Sequence, residues 1–255
     1  YDEVVKDATC RLLTYALNGN ADFMGDDIHY ASNHDFVGIE FSIHGMLDGR
    51  VRVGMPGKFN ADNALAALAV CTLALSGGSG VLDDHTKQAI LGSLVKVRVD
   101  GRMEIAHVSK KCSVIVDYAH NAVSMESLLT TLRDYHPKRL VCVFGCGGNR
   151  ARDRRYSMGE IGGKMADLCI ITADNPRFEK NEDIIKDIEV GLAKTDGTYL
   201  VIPDRREAIF YAIRNAEEGD MIAIIGKGHE DYQEIEGVKH HFLDREVVEE
   251  AVNNV

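Results

Sequence analysis

Residues 139–145 read Arg-Leu-Val-Cys-Val-Phe-Gly, an apolar run that ends in a glycine. A continuous apolar run indicates a strand buried on both faces, because a strand with one exposed face alternates apolar and polar residues. Runs of the same kind recur on both sides of it, and helical segments separate them. Strands are predicted at 112–118, 139–145, 168–172, 199–203 and 221–226, and helices at 124–135, 155–165, 181–194, 205–216 and 244–252.

Strands that alternate with helices are typical of a parallel sheet that is covered by helices on both faces. The sequence therefore predicts an α/β fold in which residues 102–255 form a Rossmann-like, doubly wound and mostly parallel sheet with a hairpin at 232–239. Residues 1–99 are interpreted as the last part of a preceding α/β domain. Their β-type segments and helices are predicted at 37–44, 49–53, 61–75 and 83–94.

Composition narrows the class of protein. The formal net charge of −11 and the pI near 5.4 argue against non-specific binding to nucleic acid or to anionic membranes. No apolar run approaches the roughly 18 residues of a membrane helix. The six dispersed cysteines are expected to be mostly buried and reduced, as in a cytoplasmic protein, and no metal site is expected. Because the chain does not begin with methionine, we expect it to be part of a longer protein.

Four of the predicted strands end in polar, charged or glycine-rich clusters, at 117–121, 145–150, 174–177 and 226–230. The carboxyl ends of parallel strands meet at one edge of a sheet, where such folds bind their ligands. We therefore expect the four clusters to form one site. Each of them read alone has a simpler interpretation as a tight turn, because glycine, asparagine, aspartate and proline all favour turns.

Two stretches, at 54–59 and 225–228, contain Gly-Lys and imitate a phosphate-binding loop. The glycine that opens such a loop is missing in both, and neither lysine is followed by serine or threonine. The dinucleotide fingerprint G-x-G-x-x-G also fails, because Arg150 occupies the position of its last glycine. The incomplete fingerprint argues against a nicotinamide-dependent oxidoreductase, which is kept as an alternative.

Six motifs in order are similar to those of the Mur ligases, from about residue 35 to the end of the chain. They are Gly-Lys-Phe-Asn-Ala-Asp-Asn-Ala at 57–64, Gly-Arg-Met-Glu at 101–104, Asp-Tyr-Ala-His at 117–120, Phe-Gly-Cys-Gly-Gly-Asn-Arg at 144–150, Asp-Asn-Pro-Arg at 174–177 and Gly-Lys-Gly-His-Glu-Asp-Tyr-Gln at 226–233. The resemblance implies a tail of the family's central ATPase domain at 1–99 and its Rossmann-like, amino-acid-binding domain at 102–255.

The resemblance also implies an activity, that of an ATP-dependent amide ligase of peptidoglycan synthesis. In such an enzyme ATP phosphorylates the terminal carboxylate of UDP-MurNAc-L-Ala-D-Glu, and the amine of meso-diaminopimelate attacks the acyl phosphate. The family's phosphate loop, its Mg²⁺ ligands and a carbamylated lysine would lie upstream of this chain. The chain alone is therefore expected to be inactive.

Residue roles follow from the motifs that match. Arg102 and His120 are the expected catalytic residues, and Arg102 would reach the phosphates of ATP. The remaining residues expected near ATP are Asn60, Asn63, Asp117 and Tyr118. The residues expected to bind meso-diaminopimelate are Arg150, Asp174, Asn175, Pro176, Arg177, Gly226 and Glu230.

Two stretches depart from the family pattern. Asn121-Ala-Val follows the Asp-Tyr-Ala-His motif where Thr-Pro-Asp is frequent, a feature similar to cyanophycin synthetase. Arg154-Arg-Tyr replaces the usual Lys-Arg-Pro after the glycine turn, so the positive charge is retained.

The choice of amino acid depends on Arg177. Diaminopimelate carries a distal carboxylate, which a guanidinium binds in a bidentate manner, whereas lysine carries only an ammonium there. An arginine left unpaired by lysine would cost roughly 2–4 kcal/mol. Asp174 and Glu230 are the candidates for the distal ammonium. A lysine-adding or other Mur-type ligase and a non-catalytic binding module remain alternatives.

Overall fold

The structure is a computed structural model that describes residues 5–254. The chain divides into two compact units. The first comprises the residues up to Ala31 together with Gly38–Val97, and the second comprises Ser32–Val37 and the chain from Arg98 onward.

Among the described residues, the main elements of the first unit are a four-stranded sheet and two long helices. The strands are β1 (Tyr15–Leu17), β2 (Phe23–Asn33), β3 (Phe36–Gly45) and β4 (Gly49–Val53), in the order β1-β2-β3-β4. The helices are α1 (Phe59–Leu75) and α2 (Asp84–Ser93). Phe41, Val51 and Leu65 lie in its apolar core. Strand β2 is absent from the sequence prediction because its polar residues, Asp26 and Asp27 among them, hide the strand pattern.

The second unit contains a six-stranded sheet in the order β5-β6-β10-β7-β8-β9. Strand β5 pairs antiparallel with β6, and the other pairs are parallel. The predicted α/β fold with a mostly parallel sheet is thereby confirmed. The strands are β5 (Glu104–Val108), β6 (Cys112–Asp117), β7 (Arg139–Phe144), β8 (Leu168–Ile171), β9 (Tyr199–Val201) and β10 (Asp220–Ile225), followed by the hairpin of β11 (Tyr232–Ile235) and β12 (Val238–His241).

Helices cover the two faces of this sheet separately. Helices α3 (Ala122–Arg133), α4 (Arg152–Met165) and α5 (Asn181–Leu192) pack on one face, and α6 (Arg205–Arg214) and α7 (Asp244–Asn253) pack on the other. The chain moves in one direction across the sheet from β6 to β9 and then returns to β10. Because β-α-β crossovers are right-handed, reversing the direction moves the connecting helix to the opposite face.

Most of the cysteines are buried, as expected: the four on or beside strands of the second unit are buried, and Cys10 and Cys71 are exposed. Two predicted helix ends need correction. Helices predicted to end at Tyr135 and Lys194 end two residues earlier, at Arg133 and Leu192. Within residues 5–254, no helix has the length and apolar character needed to cross a bilayer.

Candidate functional site

A polar cleft of about 250 Å³ opens at the carboxyl ends of β6, β7, β8 and β10. All four clusters predicted from the sequence contribute residues to it. Strand β10 lies between β6 and β7, and the chain leaves it towards α7, on the face opposite to α3 and α4. Neighbouring loops that diverge to opposite faces leave a crevice between them, which is where open α/β sheets bind ligands.

The glycine turn after β7 forms one wall of the cleft. Gly148 donates its backbone N–H to the Asn175 carbonyl oxygen at 2.8 Å. A Cβ atom on Gly148 would lie 1.9 Å from the Pro176 carbonyl oxygen, and one on Gly145 would lie 2.2 Å from that of Thr172. These glycines are therefore required by the close approach of two loops, so the turn does more than reverse the chain. Pro176 is buried in this contact and lies outside the lining of the cleft.

Asp174 and Asn175 form the buried floor of the cleft. Burial raises the pKa of Asp174, and the positive charges of Arg205 and Lys227 oppose that shift. Within the described part of the chain, no hydrogen bond reaches the Asp174 carboxylate. Asn175 Nδ2 donates to Glu230 Oε2 at 2.8 Å. A buried carboxylate without a hydrogen bond is unfavourable, so Asp174 is suited to bind a cationic ligand.

Arg177 borders the cleft and is held by the β11–β12 hairpin. Its backbone N–H donates to the Glu234 carbonyl oxygen at 2.9 Å, and Glu236 donates to its carbonyl at 2.7 Å. Its φ of 52° lies in the left-handed region that is uncommon for arginine. Nε donates to Glu234 Oε2 at 3.2 Å and Nη1 to the Gly148 carbonyl at 2.8 Å. Among the described residues Nη2 has no hydrogen-bond partner, so it can receive a ligand.

Glu230 connects the floor of the cleft to the end of β6. Its Oε1 accepts a hydrogen bond from the Tyr118 hydroxyl at 3.2 Å. Burial, together with the Glu230 carboxylate, raises the pKa of Tyr118. The hydroxyl therefore keeps its proton and acts as a donor. Gly226, whose φ of 112° suits glycine, turns the chain so that Glu230 can return to the cleft.

Four arginines near the start of α4 separate into three environments. Arg150 and Arg154 border the cleft. Arg155 is buried and pairs with Glu179 at 2.8 Å and with Asp187 at 3.0 Å. Arg152 is exposed, 3.8 Å from Asp187. Arg155 is therefore structural, whereas Arg150 and Arg154 can present positive charge to the cleft.

Cys146 also borders the cleft, but its buried environment excludes a nucleophilic or metal-binding role. Its thiol is buried, and burial raises the pKa of Cys146 to about 12. The thiolate is the nucleophilic and metal-binding form of cysteine. Cys146 is therefore a packing residue at neutral pH, and its Sγ lies 3.7 Å from Met158 Sδ.

His120 and Arg102 lie towards the β6 end of the site. His120 borders the cleft, and its Nδ1 lies 2.9 Å from the Tyr118 carbonyl oxygen. A carbonyl only accepts, so Nδ1 carries hydrogen and Nε2 is the acceptor nitrogen in the neutral ring. The exposed Arg102 guanidinium carbon lies 5.1 Å from the centroid of the Tyr118 ring. Their predicted catalytic roles stay predictions.

Asp117 is placed differently from the other predicted residues. Its carboxylate is buried and accepts backbone N–H bonds from Met103 at 2.8 Å and Ala119 at 2.7 Å. Burial raises the pKa of Asp117. The side chain fixes the chain around β6 and does not border the cleft, and its role with the ribose stays a prediction.

Asn60 and Asn63 belong to the first unit, at the start of α1. Asn60 Nδ2 donates to the Pro56 carbonyl at 2.7 Å, and Asn63 Nδ2 donates to Asn60 Oδ1 at 3.0 Å. These bonds organise the entrance to the helix. The predicted contact of both residues with adenine stays a prediction.

Three residues that support the site are absent from the sequence prediction. Lys227 is fully buried below the cleft. Arg205 and Asp244 form a buried bidentate pair at 2.7 Å, and Arg205 also donates to the carbonyl of Ile225 at 3.0 Å. The pair therefore joins the starts of α6 and α7 to the end of β10. Its only sequence signal was a charged residue at the start of each helix, which usually indicates a capping or exposed position.

Metal ligation has no local basis in the part of the chain that the structure describes. No group of three or more histidine, cysteine, aspartate or glutamate side chains is arranged there to hold a metal ion.

Two family models match the chain. The model for "Mur ligase, glutamate ligase domain" matches residues 101–228, just over half of the chain, and the model for "Mur ligase middle domain" matches residues 1–71. The first match contains the cleft apart from Glu230.

Two curated relatives show similarity over nearly the whole chain. UDP-N-acetylmuramoyl-L-alanyl-D-glutamate–2,6-diaminopimelate ligase 2 from Clostridium acetobutylicum is 40% identical over 252 residues, which cover 98% of this chain and 50% of the relative. The ligase of the same name, without the number, from Aquifex aeolicus is 42% identical over 236 residues, which cover 92% of this chain and 44% of the relative. The chain thus spans about half the length of the curated relatives it matches.

Two solved structures are also similar to the chain over most of its length. A structure of a UDP-N-acetylmuramoyl-L-alanyl-D-glutamate–2,6-diaminopimelate ligase matches with a TM-score of 0.74 and 34% identity, covering 99% of this chain and 50% of the other. A folylpolyglutamate synthase from Thermotoga maritima matches with a TM-score of 0.59 and 21% identity, covering 87% of this chain and 47% of the other. The second match shows the shared fold alone.

Proposed function

The chain belongs to the Mur ligase family, and from this premise we propose that it is the part of an ATP-dependent ligase that binds the incoming amino acid. The proposed reaction joins meso-diaminopimelate to UDP-MurNAc-L-Ala-D-Glu in peptidoglycan synthesis, in the cytoplasm. The names of the relatives support the choice of amino acid.

The observation that carries the proposal is the distribution of charge in the cleft. Arg150, Arg154 and Arg177 provide cations, and Asp174 and Glu230 provide anions, all at one sheet edge. An amino acid that bears carboxylates and ammonium groups complements both signs. Diaminopimelate has such a pair at each end, so one end can occupy the cleft while the amine of the other reacts.

Arg177 provides the proposed discrimination against lysine. Its free Nη2 edge can bind the distal carboxylate of diaminopimelate, and the hairpin contacts keep the guanidinium from turning away. Charge-assisted contacts from a preorganised arginine are specific for carboxylates. Asp174 and Glu230 then receive the distal ammonium.

The proposed chemistry forms one amide bond. The attacking nitrogen of diaminopimelate bonds to the carbonyl carbon of the acyl phosphate, the bond from that carbon to the phosphate oxygen breaks, and phosphate departs with the electron pair. We assign the nitrogen's proton to His120 Nε2 and the neutralisation of phosphate charge to Arg102, as positioned acid–base and electrostatic groups. Mg²⁺ would neutralise the phosphates of ATP, and its ligands are expected outside this chain.

The experiment that tests the proposal uses the full-length protein that carries this chain. Phosphate release is measured with ATP, UDP-MurNAc-L-Ala-D-Glu and either meso-diaminopimelate or L-lysine. We expect kcat/KM for diaminopimelate to exceed that for lysine by about 100-fold or more. Equal use of both amino acids would contradict the assignment of the substrate.

A lysine-adding ligase is the second candidate, and one contact favours it. Glu234 already pairs with Arg177 at 3.2 Å and offsets part of its positive charge. If Arg177 serves only to hold the hairpin, lysine would be accepted. Absence of phosphate release with every amino acid would instead favour the non-catalytic binding module.

A further inference from the structure

Lys227 is a buried cation that the proposed chemistry leaves without a role. Its side chain has no exposed surface, and it lies outside the lining of the cleft. A buried ammonium is costly unless it is paired and hydrogen-bonded. The groups that pair with the Lys227 ammonium therefore indicate its role.

The Lys227 ammonium has three acceptors. Nζ lies 3.3 Å from Asn175 Oδ1 and 3.4 Å from Glu230 Oε2, and it donates to the Tyr232 carbonyl oxygen. Three acceptors match the three hydrogens of an ammonium. The cation thus lies on the buried side of Asn175 and Glu230, whose remaining surface borders the cleft.

Lys227 and the Glu234 backbone N–H together determine which way the Asn175 amide points. Asn175 Oδ1 accepts from Lys227 Nζ and, at 2.9 Å, from the Glu234 backbone N–H. Nδ2 must then face Glu230 Oε2, to which it donates at 2.8 Å. A flipped amide would place its NH₂ group against an ammonium and an N–H, so it is excluded while Lys227 is present. The Glu230 carboxylate is thereby held on its buried side by Asn175 and Lys227.

Lys227 also sets the charge of this part of the site. The charged groups that act on it are Asp174, Arg205, Glu230 and Asp244. With the carboxylates ionised, these four and Lys227 carry a net charge of −1, which would become −2 without the lysine. A single negative charge matches one ammonium of a ligand. A second unpaired carboxylate would be costly to bury.

We propose that Lys227 is a positioning residue that orients Asn175 and Glu230 from beneath the cleft and leaves one net negative charge there for the distal ammonium of the incoming amino acid. Lys227 touches no substrate in this arrangement. The inference rests on the proposed function of the cleft.

The test compares Lys227→Met with wild type in the full-length protein, by steady-state kinetics with all three substrates. We expect KM for diaminopimelate to rise about 10- to 100-fold, while KM for ATP and for the UDP-linked substrate changes by no more than about twofold. The matched control is Lys164→Met, because Lys164 is exposed and pairs with Glu160 on the surface of α4. It should leave all three values unchanged.

The pH profile separates positioning from a general loss of structure. Removal of a nearby cation raises the pKa of a carboxyl group. The acid limb of kcat/KM for diaminopimelate should therefore move to higher pH by about one unit or more in Lys227→Met. A lower kcat with an unmoved acid limb and unchanged KM would overturn the proposal.

A double-mutant cycle with Glu230→Gln keeps the proposal testable if Lys227→Met alone does not fold. The double variant loses one charge of each sign, so the net charge of the cluster stays at −1 and folding is expected. In the Glu230→Gln background, Lys227→Met should raise KM by no more than about threefold. A further rise of 10-fold or more there would show that Lys227 acts independently of Glu230 and would overturn the proposal. Wild type that turns over lysine or nothing would refute the proposed function instead.

Discussion

At the scale of the residue, Arg177 shows how a predicted ligand contact depends on its own anchors. The guanidinium uses Nε and Nη1 to hold Glu234 and the Gly148 carbonyl, and it presents only its remaining edge to the cleft. An arginine held on two sides loses less conformational entropy when it binds a ligand. The anchors therefore favour recognition of a carboxylate in a fixed orientation.

Replacement of Arg177 should remove that recognition. We expect Arg177→Ala to raise KM for diaminopimelate by roughly 30-fold or more, because a charge-assisted contact is lost. Selectivity over lysine should fall in parallel. Steady-state kinetics on the full-length protein measure both effects, with Arg152→Ala as the control, since Arg152 is exposed and outside the cleft. An unchanged KM in Arg177→Ala would argue that Arg177 only supports the hairpin.

The buried carboxylate of Asp174 is expected to favour ligand binding and to lower the stability of the folded protein. Because burial raises its pKa in the folded protein, its ionised form is disfavoured there, and stability falls as pH rises from the ordinary value of 3.8 through the raised pKa. We expect Asp174→Asn to raise the free energy of unfolding at pH 7 while abolishing diaminopimelate binding.

The gain in the free energy of unfolding from Asp174→Asn should become smaller as the pH falls towards 4, since wild-type Asp174 then becomes protonated and resembles the amide. Thermal unfolding at several pH values provides the measurement. An Asp174→Asn variant that is less stable than wild type at pH 7 would contradict this sign.

At the scale of the element, the close contact of two loops depends on glycine. Gly148 lies against the Pro176 carbonyl, where a methyl group would meet the backbone at 1.9 Å. We expect Gly148→Ala to destabilise the protein by about 1–3 kcal/mol and to weaken amino-acid binding, because the glycine turn must move away from the Asp174 loop. Gly92 in α2 is the control, since a Cβ there would meet nothing within 4 Å. Gly92→Ala should be neutral or stabilising by up to about 1 kcal/mol.

The Arg205–Asp244 pair joins helices α6 and α7 to the ends of two strands. Both side chains are fully buried, and Arg205 donates to the carbonyls of Ala173 and Ile225. We expect Asp244→Asn to lower the free energy of unfolding by about 3–5 kcal/mol, because it leaves a buried guanidinium without its anion. The exposed pair of Arg206 with Glu250 is the control. Glu250→Gln should lower the free energy of unfolding, measured by urea denaturation, by less than about 1 kcal/mol.

At the scale of the whole molecule, the chain carries the polar cleft but no sequence that can form a phosphate loop. Neither of its Gly-Lys stretches has the residues that cradle a triphosphate. We therefore expect the isolated chain to release no phosphate from ATP under conditions in which the full-length protein turns over. Phosphate release by the isolated chain would contradict this expectation.

The sequence by itself determined the alternation of strands and helices in the second unit and the edge of the sheet at which its site lies. Apolar strands alternated with amphipathic helices, and the polar clusters followed the strands directly. Both patterns are local, so each could be read without knowledge of distant contacts. The strand order, with β10 between β6 and β7, and the exposed edge position of β9 could not be read in this way.

Tertiary structure alone decided what each charged residue does. Arg177 is held by Glu234, 57 residues away, and Asn175 by Glu230, 55 residues away. Arg155 and Lys227 look like ordinary surface cations in sequence, yet both are buried. The reason is physical: the periodicity of a sequence records which face of an element is apolar, whereas the partner of a charge depends on which loops the sheet brings together.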